Sequence, residues 1–203
     1  MSKRTLAVIV GMVLAVSAIS AAQEKPPEKQ TFQMAASALR GYHNLQRNLT
    51  EAAEKMPDAD YSFKPTPETR PFSQLIAHTA LAQFGNCSLL KGQPNPHEKD
   101  KEETYKTKSE AVALLKASTA LCDDAFGVVT DQNFLEMVTM PQGEAARGLL
   151  LTGINAHGNE MYGTMSVYLR LKGLVPPSTE RMQQAAAKAA AEKEAQKKSG
   201  SDK

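Results

Sequence analysis

No serine–histidine–acid arrangement, glycine-rich phosphate loop or dinucleotide fingerprint occurs in this chain of 203 residues, which sets aside the familiar nucleophilic-hydrolase and nucleotide-binding readings. An excess of charge is also missing, with 24 Lys+Arg against 22 Asp+Glu. Long apolar runs are absent apart from one near the start, at residues 5–19, and it is shorter than the roughly 20 residues a membrane-spanning helix needs. Cysteine is scarce, with two residues, Cys87 and Cys122, and neither stands where a lipoprotein would be processed.

What is present at the start has the order of a secretory leader. Lys3 and Arg4 precede the apolar run, and the small residues Ser20, Ala21 and Ala22 follow it. Cleavage is expected after Ala22, giving a signal peptide of residues 1–22 and a periplasmic or secreted mature chain. The alternative is an uncleaved anchor, for which the run is short. Removing residues 1–22 takes away Lys3 and Arg4 and no acid, so the mature chain has 22 basic and 22 acidic residues. That balance offers no electrostatic footprint for nucleic acid, and the mature chain is expected to have no transmembrane segment.

Residues 23–31, QEKPPEKQT, are polar and proline-rich and read as a linker. From Phe32 the apolar residues Ala35, Leu39, Tyr42, Leu45, Leu49, Ala52 and Met56 recur at helical spacing until Pro57 stops them. Residues 57–71 hold four prolines and form a loop; a second helix follows over about 71–91. Residues 92–107 are another long loop, with GQPNP and HEKDKEE. A third helix is expected over 109–127, and a fourth over 145–172, closed by Gly173 and Pro176-Pro177. Between them, 128–144 is ambiguous, with weak β signals in VVT and MVTM. Four helical segments without a convincing strand pattern predict an all-α four-helix bundle with long inter-helix loops, whose sites are built from inward side chains.

His157 and Met161 stand one turn apart on the fourth helix, so both project from one face. Leu150, Ile154 and Tyr168 share their stripe, which Met165 extends. On the second helix His78 shares a stripe with Leu75, Ala82, Gly85 and Leu89. Both stripes are predicted to face the core. His43 lies at the edge of the first helix's apolar stripe, His97 falls in a charged loop and is expected to be solvated, and Glu160 points off the His157 stripe.

The run HGNEMYGTMSVYLRLKGLVPPS resembles the last helix of the DinB-like four-helix-bundle family, in which two histidines four apart precede a tyrosine-leucine-arginine stretch and a Pro-Pro exit. MPDADYSFKPTPETRPFSQLIAHTALAQF resembles the same family's loop into the second helix, which carries a further histidine, here His78. The resemblance spans residues 32–179. It implies a bundle holding one divalent ion, zinc or nickel, through three histidines, with thiol-dependent transfer or isomerisation in some members. Residue by residue, His78 and His157 match metal ligands, while Met161 occupies the usual third-ligand position. A neutral thioether is a poor ligand for such ions and an acceptable one for cuprous copper.

In an exported chain the even cysteine pair can oxidise, provided the second and third helices run parallel so that Cys87 and Cys122 lie level; two buried free thiols are the alternative. Residues 180–203, rich in Ala, Lys, Glu and Gln, lack an apolar face and are expected to be a disordered or transiently helical tail. Three functional readings stay open. One is a metal-dependent hydrolase or thiol-dependent transferase acting on a small molecule, with an incomplete divalent site. Another is a non-catalytic binding or structural bundle whose site has decayed. The third is a copper-binding protein, with its methionines otherwise serving as core filler.

Overall fold

The computed structural model describes residues 33–140 and 143–201, so the expected leader and linker, residues 1–31, lie outside the described residues. Four long helices form the bundle: α1 (Met34–Lys55), α2 (Phe72–Leu90), α3 (Lys108–Phe126) and α4 (Arg147–Leu171). Their bounds follow local chemistry. Thr107 and Glu110 form a reciprocal capping box at the start of α3, each side chain satisfying a backbone N–H of the other. α2 and α4 end on glycines with positive φ, Gly92 at 63° and Gly173 at 73°. The paired bonds Gln93 N to Ser88 O and Leu174 N to Leu169 O close both ends as Schellman motifs, a conformation that a Cβ would strain.

The side-chain contacts between helices fix their directions. Ser118 Oγ donates to Gln83 Oε1, and Cys122 is bonded to Cys87; both pairs are offset by the same number of residues, so α2 and α3 run parallel. Asn155 donates to Ala38 O while Gly158 meets Leu45, so α1 and α4 also run parallel. His157 meets His78 while Tyr168 reaches back to Arg70, which sets α4 antiparallel to α2. The order is therefore up, down, down, up. Such an order forces the α2–α3 connection to travel the length of the bundle, and it does so as a strap lying along α2. Gln93 bonds to Ser88, His97 stacks on Phe84 with ring centroids 4.2 Å apart, and Glu102 reaches His78.

Two apolar clusters fill the bundle. One, around Met56, Tyr61, Phe72, Leu115, Met165 and Tyr168, occupies one end; the other, around Tyr42, Cys87, Cys122, Phe126 and Leu151, occupies the opposite end. Gln46, Gln83, Ser118 and Thr119 form a buried hydrogen-bonded group between them. Gly158 lets α1 approach closely, because a Cβ there would stand 2.5 Å from Leu45 Cδ2.

The structure departs from the sequence reading at several places. The ambiguous stretch carries a short antiparallel hairpin, β1 (Met137–Met140) and β2 (Gly143–Ala146), paired from Met137↔Ala146 to Met140↔Gly143. The β signal in MVTM corresponds to β1, a local pairing, whereas VVT at residues 128–130 forms no strand. His97 is not solvated; its side chain is 28% exposed, packed on Phe84 and bonded to Asp100. The last segment forms α5 (Pro177–Ser201). Its first turn is tied to the bundle by Tyr162 to Ser178, Lys55 to Glu180, and Arg181 to Glu51 and Asn48; the residues from Met182 to Lys198 are exposed. None of the described helices is long and apolar enough to cross a membrane.

Candidate metal centre

His78 sits near the end of the second turn of α2 and His157 near the middle of α4, and the antiparallel contact of these helices brings their rings together. Their Nε2 atoms are 3.3 Å apart, with ring centroids at 5.2 Å and planes inclined by 62°. That separation is that of a long hydrogen bond between the two ring nitrogens, with donor and acceptor set by the tautomers. It equals the spacing of about 3.3–3.4 Å that two nitrogens adopt when each is 2.0–2.1 Å from one tetrahedral ion.

The pair lies at the rim of the bundle rather than in its interior. The His78 side chain is 32% exposed, and Ala82, Gly85 and Leu89 on the same stripe are only half-buried. The deeper face of α2 carries Ile76, Ala80, Gln83 and Cys87. The sequence stripe misplaced His78 because α2 is apolar nearly all round, touching α3, α4 and the strap, so its hydrophobic pattern has no sharp phase. His157 is half-buried, whereas Met161, one turn further along α4, is 7% exposed and belongs to the apolar cluster with Tyr162 and Met165. Of the other expected residues, His43 and His97 stay apart from this pair, whereas Glu160 is near enough to act on the charge of His157. His43 is exposed beside Asp123, His97 belongs to the strap, and Glu160 is exposed.

Two residues of the centre were not visible in the sequence. Glu102 Oε2 lies 3.1 Å from His78 Nδ1, and both Glu102 oxygens accept from Arg70 Nε at 2.8 and 3.0 Å. The Arg70 carbonyl in turn accepts from the Tyr168 hydroxyl at 2.8 Å, which ties this arm to α4. Glu102 sits in a run of charged loop residues with no periodic relation to either histidine. Only the return path of the strap places it there.

A carboxylate on Nδ1 faces the opposite ring edge from Nε2, so Glu102 supports His78 without joining the two converging nitrogens. Among the described residues no group of three His, Cys, Asp or Glu side chains stands ready to hold an ion. The donors therefore fit two positions of a metal site and not the three protein ligands usual at an open zinc centre.

The His157 imidazole is held below its ordinary value of 6.5, first by burial, then by His78 and Arg70 nearby, with Glu160 opposing. The unfolded chain then takes up this proton more readily than the folded one, so the associated stability is present above about pH 6.5 and is lost as pH falls below it. Thermal melts between pH 7.5 and 5 should show the midpoint falling, with a flatter slope in His157→Gln. An unchanged slope in that variant would remove His157 as the cause.

Comparison with known proteins returns one consistent relationship. The sequence profile of the DinB superfamily matches residues 42–165. A DinB-like protein from Bacillus cereus is similar in structure, with a TM-score of 0.60 at 14% identity, covering 70% of this chain and 95% of that one. A DinB-like protein from Bacillus subtilis gives 0.55 at 17% identity over 68% and 92% of the two chains. A mutant of the mycothiol-dependent maleylpyruvate isomerase gives 0.51 at 17% identity over 63% and 60%. At these identities the likeness concerns the fold. No curated protein matches the chain.

Proposed function

Because the chain belongs to the DinB superfamily, we propose that it is an exported protein whose paired imidazoles, His78 and His157, hold a divalent ion, zinc or nickel, weakly and on two ligands, for work on a small molecule. The observation that carries this reading is the 3.3 Å approach of the two Nε2 atoms at a half-exposed rim, where a ligand has access from solvent. When bound, such an ion acts as a Lewis acid and lowers the proton affinity of a coordinated water or thiol. The protein's own part is positional. Glu102, gripped by Arg70, lies against the His78 ring, burial lowers the proton affinity of His157, and Met161 packs at the position to which the family resemblance assigns a third imidazole.

Thiol-dependent isomerisation or transfer is the reaction class we assign first, the isomerisation by analogy with the mycothiol-dependent isomerase that shares the fold; metal-dependent hydrolysis is the second. A non-catalytic bundle with a decayed site is favoured by one specific observation, the deep burial of Met161 in the apolar cluster. Zinc and nickel titration of the mature protein separates these readings. Binding at one site that is lost in His78→Ala supports the metal reading, and no binding favours the decayed bundle.

Export is part of the same proposal. The leader-like residues 1–22 motivate it, and the Cys87–Cys122 bond suits an oxidising compartment. Intact-mass measurement on the extracytoplasmic fraction should return a chain beginning at Gln23. A full-length chain recovered from the cytoplasm would overturn the assignment.

A further inference from the structure

α4 lacks the charged outer side that a surface helix normally has. Its 25 residues carry three charged side chains, Arg147, Glu160 and Arg170. By contrast, α1 turns Arg40, Arg47 and Glu54 to solvent. The inward side of α4 packs on α1 and α2, yet its outward side is also largely apolar. There Ala156, Glu160, Gly163, Val167 and Leu171 follow one another at steps of four, three, four and four, and all are exposed. Val167 is 52% and Leu171 57% exposed. A Cβ added at Gly163 would meet no atom within 4 Å among the described residues, so the row has a bare notch one turn before Val167. A helix apolar on nearly every side is ordinarily covered, and exposed apolar rows of this kind mark contact surfaces.

The two charges on this side decide what fits. Glu160 stands three residues before Gly163, and Arg170 three residues after Val167. Read in the opposite chain direction, the order Glu, Gly, Val, Arg becomes Arg, Val, Gly, Glu. A second α4 laid antiparallel therefore sets acid against base and glycine against valine, each of them twice. Arg170 is exposed, and its contacts to Ser166 O and Thr179 Oγ1 are long, at 3.4 and 3.3 Å. Other arrangements fit worse. A parallel pair places each residue against its own copy, Glu160 included, and an antiparallel pair centred on residue 160 also opposes the two carboxylates. Like charges facing each other across an interface select against both.

We propose that the outward face of α4 is the interface of a twofold-symmetric homodimer. Two antiparallel α4 helices cross level with residue 165, Val167 of each enters the notch at Gly163 of the other, and Glu160 of each pairs with Arg170 of the other. A twofold interface has to be self-complementary, with residue i meeting j and j meeting i, and the face meets that condition at this register.

Sedimentation velocity of the mature, disulfide-bonded protein over about 1–300 µM should show a monomer–dimer equilibrium. Val167→Lys puts a charge into the contact and should raise the dissociation constant at least about 10-fold without lowering the melting temperature. Gly163→Leu should weaken the dimer similarly, because the free chain has room for the added side chain and the notch does not. A separate arm tests the register. Glu160→Arg and Arg170→Glu should each weaken the dimer, and the two combined should restore it. A monomer throughout that range overturns the proposal, as does a dimer that neither Val167→Lys nor Gly163→Leu weakens. A dimer lost in both charge reversals and not restored by their combination overturns the register. A monomer that instead co-sediments with phosphatidylglycerol–phosphatidylethanolamine vesicles, and no longer does so as Val167→Lys, gives the face to a lipid surface and also overturns the dimer.

Discussion

Met161→His should raise zinc and nickel affinity by at least about 100-fold, because it adds a direct ligand where even an outer partner is worth 10–100-fold. The geometry favours this exchange. Met161 lies one turn from His157 on the same face of α4, and the two existing nitrogens already stand at the spacing of tetrahedral ligands. The cost falls on the metal-free protein. At 7% exposure the new imidazole would lose hydration without a partner among the apolar neighbours of Met161, which costs about 1–3 kcal/mol. The variant should therefore melt lower than wild type without metal and recover with zinc, by about 2.7 kcal/mol at a hundredfold excess over Kd. His78→Ala in the same background should reverse the gain in affinity. Equal divalent affinity in wild type and Met161→His would show that the proposed site is not the one being titrated. Tight binding of cuprous ion alone would support the copper reading, for which two imidazoles and a thioether are a suitable donor set.

The second large effect is expected from the disulfide. The bond joins residues 35 apart, with Cα atoms at 5.2 Å and both cysteines fully buried. A closed loop of that length stabilises by about 4 kcal/mol through the entropy removed from the unfolded chain. In a domain of this size about 4 kcal/mol corresponds to a fall in melting temperature of about 8–15 °C, and Cys87→Ala combined with Cys122→Ala should show it. Reductant added to the native wild type should act slowly, since a thiolate cannot reach buried sulfurs until the helix ends open. Two free thiols titrated in unfolded, unreduced protein would contradict the bond. The closed loop contains the whole strap, so the double variant should also raise hydrogen exchange in residues 91–107.

The histidine pair illustrates how far sequence periodicity reaches. On α4 the apolar members of the stripe, Leu150, Ile154, Met161, Met165 and Tyr168, are buried as their spacing predicts, while His157 on the same stripe is only half-buried. On α2 the same reasoning chose a half-buried stripe for His78, since nearly every side of the helix meets a neighbour and the pattern loses its phase. Local signals fared better. Pro57, Gly92 and Gly173 mark helix ends where the structure has them, within one or two residues, and the parallel arrangement that a Cys87–Cys122 bond requires is the one observed.

The four bundle helices, their all-α class and the family resemblance were legible in the sequence, because each depends on spacing within one helix or on a short contiguous motif; the pairing of His78 with His157 was legible only through that resemblance. The folded arrangement alone places the pair at the rim, His97 on Phe84, and Glu102, gripped by Arg70, beside His78. Those contacts join residues far apart in the chain, and they depend on the path of the strap, which parallel α2 and α3 require but no local residue pattern encodes. The charge and polarity of HEKDKEE are equally suited to a solvated loop and to a carboxylate delivered onto a histidine; only the return of the chain along α2 distinguishes them.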